Sequence, residues 1–205
     1  MSESARHYGG VSAQERKAAR RERLLDAGLQ LFGTPGGDRV TVSAICAEAG
    51  LTERYFYESF RSRDALLLEV LEGVADEVRS AALTALEDAD VEPEPRARAA
   101  IAAFVEILTS DPRKGHVAMV ASAAVEPFRT RRRELLHRFA RMVAEESKAL
   151  YGERAWASPH DEVTALLFVG GLAELVTTWL SGDIEVPPET IVDAATYQFT
   201  ATAHR

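Results

Sequence analysis

An all-helical chain is predicted by three observations. Apolar residues recur at helical spacing through most of the sequence, Pro and Gly punctuate those runs, and no segment alternates as a half-buried strand would. The runs give about nine helices: three short ones at the N-terminal end, then a larger helical body.

Residues 1–12 are small, polar and glycine-containing, and are expected to form a flexible tail. The first helix is expected from Ser12 to Gly33, because Ser12 followed by Glu15 is a capping box. Leu24, Leu25, Leu31 and Phe32 make its buried stripe, and Gly28 is expected to allow close helix packing. Arg16, Lys17, Arg20, Arg21 and Arg23 crowd its first half, where a solvated face and phosphate contact are both reasonable. Thr34-Pro35-Gly36-Gly37-Asp38 is a loop.

Thr41 is a good N-cap for a second helix whose stripe is Val42, Ile45, Cys46 and Ala49. Gly50 ends it, since glycine reaches left-handed dihedrals without a Cβ penalty. Thr52 is then expected to cap a third helix running to about Phe60, with Phe56 and Phe60 inward. Two short helices joined by a glycine turn make a helix-turn-helix. The outer face carries Glu53, Arg54, Tyr55, Tyr57, Glu58 and Ser59, and three consecutive aromatics cannot all point inward. Such side chains suit base edges and phosphates in a major groove.

Ser62 caps a fourth helix to about Leu86 that should connect head and body. Residues 87–95 read as an acidic surface connection. A fifth helix follows over 96–110, broken by Asp111-Pro112, and a sixth over 113–124, broken by Glu126-Pro127. The seventh reaches Tyr151, with Arg129, Arg131, Arg132 and Arg133 read as solvent-facing, the alternative being that they meet an acidic ligand or partner. The eighth, 160–180, is apolar on more than one face, which a helix wet along one side would not be. The ninth spans 188–202 behind Pro187-Pro188.

Thr41, Ile45, Ala49-Gly50, Tyr57, Phe60 and Ser62-Arg63-Asp64-Ala65-Leu66, with Leu24-Leu25-Asp26-Ala27-Gly28 and Leu31-Phe32 upstream, resemble the N-terminal domain of the TetR family of bacterial transcriptional regulators. The resemblance covers roughly residues 16–70. Family members usually carry a small residue or glycine where Arg54 stands, and often a lysine at Arg63, so Arg54 and Tyr55 suggest an unusual operator preference.

The resemblance implies three parts: a tail (1–12), a helix-turn-helix DNA-binding domain (13–62) and a helical regulatory and dimerisation domain (63–205) whose helix 63–86 is the connector. It implies a ligand-responsive transcriptional regulator, a repressor on a palindromic operator, released by a mainly apolar small molecule. Thr41, Thr52, Tyr57 and Arg63 are expected at phosphates, and Arg54 and Tyr55 at bases, with Glu53 on the same face. Phe104, His116, Met119, Phe139, Met142 and Phe168 are the expected ligand contacts. Phe168, Leu172, Leu175, Trp179, Ile191, Ala195 and Phe199 are the expected homodimer interface. The alternatives are a small-molecule carrier or modifying enzyme using a helical pocket without DNA, and a protein-interaction module whose head docks a protein.

Charge fits this division. The chain's net charge is −8, yet residues 1–65 carry 10 Lys and Arg against 9 Asp and Glu, and residues 66–205 carry 14 against 23. The acidic excess therefore lies outside the head, and pairing of heads would double the phosphate contacts. The lone Cys46 excludes an internal disulfide and fits a reducing compartment. With no run of about eighteen uncharged apolar residues, no membrane partner and a cytoplasmic location are expected. The five histidines are dispersed and there is no nucleophile elbow, phosphate-cradling loop or HExxH, so no enzyme, metal or cofactor is expected.

Overall fold

The computed structural model describes residues 12–34, 36–89, 92–124, 126 and 128–205. Apart from Ser12, the expected tail lies outside them. The described residues are all-helical: α1 (Ala13–Phe32), α2 (Val42–Ala49), α3 (Glu53–Tyr57), α4 (Arg63–Asp88), α5 (Pro93–Ser110), α6 (Pro112–Gly115), α7 (Ser122–Ala124), α8 (Phe128–Tyr151), α9 (His160–Leu180) and α10 (Pro188–Thr202). A π-helical stretch, His116–Ala121, joins α6 to α7. Taking 112–124 as one interrupted helix gives nine, the expected number, and no strand runs through the described residues.

Local chemistry explains most boundaries. Ser12 Oγ accepts from Glu15 N at 3.1 Å and the Glu15 carboxylate accepts from Ser12 N at 2.6 Å, closing the capping box. Thr41 accepts from Ala44 N and Ser62 from Ala65 N. Gly50 stands at φ 61, the left-handed stop expected of it.

Two boundaries and one cap differ from expectation. The third helix ends at Tyr57, not Phe60; Ser59 and Phe60 turn back onto the Phe56 carbonyl, and that turn delivers Phe60 to the core. Thr52 sits at its N-cap but makes no side-chain capping bond. The fifth helix begins at Pro93, because proline lacks an N–H that the first turn would leave unsatisfied anyway.

Two packed cores result. One gathers Leu24, Phe32, Ile45, Phe56 and Phe60 around the first half of α4, through Leu66, Val70 and Leu71. The other gathers Ile101, Val105 and Leu108 of α5 with Phe168, Leu172 and Val176 of α9 and Ile191 and Phe199 of α10. Helix α4 serves both, since Val74 and Val78 belong to the second. Gly28 lets α1 and α4 close together: a Cβ there would press on Leu66 Cδ2 and come within 3.2 Å of Val70 Cγ2.

Helix α9 alone among the described helices is long and apolar enough to cross a membrane. Its Phe168, Leu172, Ala173 and Val176 instead pack inside this chain.

Candidate nucleic-acid interface and body cavity

The helix-turn-helix is braced from α1. Arg23 donates to the Ala49 carbonyl, and at 3.4 Å to that of Gly50, so it clamps the turn. Arg20 lies over the Tyr55 ring, 4.4 Å from its centroid, and 3.9 Å from the Glu58 carboxylate. Arg21 pairs with Glu69 and covers the Phe60 ring. These arginines, which the sequence left open between solvent and phosphate, are turned onto the motif itself.

Of the expected DNA contacts, Thr52, Glu53, Arg54 and Tyr57 are exposed on one surface. The Arg54 side chain is 84% exposed and only 3.3 Å from Glu58 Oε1, a solvent-screened pair that costs little to exchange for a phosphate or base. Tyr57 is 57% exposed, its ring set edge-on to buried Phe56 at 5.3 Å. That contact holds one side of the ring and leaves the rest of the side chain open to solvent. Tyr55 is half-buried under Arg20, so it presents less surface for a base than expected. Thr41 is exposed but its hydroxyl oxygen caps α2. Arg63 is half-buried; it donates to the Val40 carbonyl at 3.2 Å and to Asp64 at 3.0 Å, tying the start of α4 to the approach to α2. Its charge is partly engaged within the chain, which favours a positioning role.

Inside the body lies an apolar cavity of about 130 Å³. Phe104, Met119, Phe139, Met142 and Phe168 line it, all expected ligand contacts. His116 does not line it. It sits in the π-helical stretch, where burial pushes its imidazole below the usual range and favours the neutral ring. A second cavity of about 60 Å³ adjoins the first along α8, sharing Met142, Val143 and Phe168.

The arginines at the start of α8 need correction. Arg131 pairs with Glu72 and Glu134, while Arg132 turns inward and lines the cavity, so only part of that cluster faces solvent. Its spacing of three, four and seven residues from Leu135, Leu136 and Phe139 was the available signal.

The expected interface residues also need correction. Phe168, Leu172, Ile191, Ala195 and Phe199 are buried in this chain's own core. Leu175 and Trp179 are half-buried against it, and the Trp179 indole N–H donates to the Val186 carbonyl at 2.8 Å. The apolar side chains that α9 and α10 leave outside are Val163 (56% exposed), Leu166, Leu167 (66%) and Tyr197 (76%). The sequence shows a helix apolar all round; it does not show which half its own chain covers.

The signature "Bacterial regulatory proteins, tetR family" matches residues 24–70. No curated protein matches. Among solved structures, a TetR-like transcriptional regulator from Rhodococcus sp. RHA1 is 19% identical over 88% of this chain and 93% of its own, with a TM-score of 0.69. The fatty acid degradation regulator FadR from Bacillus halodurans is 18% identical over 91% and 97%, TM-score 0.70. The transcriptional regulator FadR from Bacillus subtilis, in complex with stearoyl-CoA, is 15% identical over 89% and 99%, TM-score 0.73. At such identities these likenesses speak for the fold. The match at 24–70 falls on the braced helix-turn-helix and the start of α4, and that segment is similar to the tetR family of bacterial regulatory proteins.

Proposed function

We propose that this chain is a homodimeric transcriptional repressor whose heads (13–62) hold a palindromic operator and whose body (63–205) binds a mainly apolar effector that releases it. The observation that carries this reading is the outward face of α3, where Arg54 and Tyr57 stand exposed on a motif clamped from behind by Arg20 and Arg23. A held helix end with free polar tips suits a major groove. Thr52 and Arg54 offer hydroxyl and guanidinium donors, Tyr57 a phenol, and Thr41, Glu53, Tyr55 and Arg63 border the same surface.

Two heads need a rigid partnership. The outward apolar face of α9 and α10, centred on Val163, Leu167 and Tyr197, supports pairing through a four-helix contact. Release then requires only that the effector bind better to the form whose heads no longer match the groove spacing. The apolar cavity supports such an effector, and the FadR structure from Bacillus subtilis, similar in fold, is a complex with stearoyl-CoA.

Gel retardation against the DNA flanking the chain's own coding region tests the reading. Salt-sensitive retardation by the dimer is expected, with Arg54→Ala and Tyr57→Phe each weakening it by about 1–3 kcal/mol. Retardation unchanged in both variants, or none by the wild type, would overturn it.

A further inference from the structure

Resting on the apolar-effector reading, we infer that the effector carries one anionic head, held by Arg132, on an apolar body laid along α8.

Arg132 is the sole charged side chain among the residues lining the main cavity; its other lining groups are aliphatic, aromatic or thioether. Its Nε is buried and, among the described residues, has no hydrogen-bond partner. Buried N–H donors are nearly always satisfied, and a charged one is costly to leave bare. The carboxylates that pair with the other arginines at the start of α8 are engaged there. Glu72 is held by Arg131 and Arg138, Glu134 by Arg131, and Glu126 by Arg129 at 2.9 Å and Thr130 at 3.0 Å. Among the described residues, Arg132 is thus a cation at an apolar chamber without an anion of its own.

The rest of α8 gives the ligand its shape. Arg132, Leu135, Leu136, Phe139, Met142 and Val143 share the face that lines the chamber. Ten residues separate Arg132 from Met142, about 15 Å of helix. Beyond Met142 the adjoining cavity reaches Glu146, whose charge repels a second anionic end. A monocarboxylate with a single unbranched or ring-bearing tail fits: the head meets the guanidinium and the tail lies between α4, α5 and α8.

Titration calorimetry of the full-length dimer with decanoate, decanol and decyltrimethylammonium tests this. They share a tail and differ only in head. Decanoate is expected to bind about tenfold or more tighter than decanol, the scale of one charge-assisted hydrogen bond, and the cation weakest. Arg132→Met should erase decanoate's advantage and leave decanol unchanged; Arg132→Lys should keep part of it. Equal binding of decanoate and decanol by the wild type, or an undiminished decanoate preference in Arg132→Met, would overturn the assignment of the head while sparing the apolar-effector reading. Failure of all three probes to bind would overturn both.

Discussion

Gly28 shows how much one missing methyl can decide. Alanine is the better helix former by about 1 kcal/mol. Its Cβ, however, would meet the side chains of Leu66 and Val70 in a fully packed core. Overpacking at such a site costs about 1–3 kcal/mol, so the contact outweighs the propensity. Gly28→Ala should therefore lower stability in urea denaturation despite the helix gain. Arg23 makes the complementary point at the surface. A phosphate-binding arginine and a strut arginine look alike in a sequence, but their losses differ. Arg23 holds the Ala49 carbonyl, so Arg23→Met should loosen the turn and weaken DNA binding with the salt dependence of affinity unchanged. Were it a phosphate contact, that slope would fall by about one.

Elements were legible where their ends are chemically marked. Ser12 with Glu15, Thr41, Gly50 and Ser62 each do locally what their residue type does in any chain, and α1, α2 and α4 start or stop there. α9 and α10 matched their expected bounds because prolines and turns flank them. Less legible was anything set by distant partners. The early end of α3 follows from Phe60 reaching the core, and the outward face of α9 from which side α8 and α10 cover. Of the candidate site, the exposed Arg54 and Tyr57 were readable from amphipathic spacing. The struts on α1 were not, and Arg132 only through its spacing from the apolar stripe of α8, because long cations choose between solvent and interior once neighbours are placed. The short α6 is held in the same non-local way. Arg113 grips Asp111 through two bonds, at 2.9 and 2.7 Å, and reaches Gln30 of α1 at 2.8 Å. The Arg113 guanidinium keeps the Asp111 carboxyl below the usual carboxylate range. A carboxyl lowered on folding contributes stability above its unfolded pKa and loses it as pH falls through the folded one. Arg113→Ala should therefore lower Tm at neutral pH, and the gap from wild type should shrink as pH falls through and below the ordinary aspartate range.

At the scale of the molecule, the proposed function draws on pairing, because two heads near charge neutrality would double the phosphate contacts that one offers. Leu167→Glu would place a charge on the outward face of α9 while sparing the chain's own core, since Leu167 is two-thirds exposed. It should give a folded monomer by light scattering and lose operator retention; a variant that stays dimeric would move the interface elsewhere. Between the two cores, Gly33 at the end of α1 abuts α6 so closely that a Cβ would lie 2.5 Å from Arg113 Cβ and 2.7 Å from its Cα. Parts with no slack mesh like cogs. A guest pressing on Met119 in the cavity would push on a stretch that leads directly into α6, and at Gly33 α1 has no slack in which to absorb such a shift.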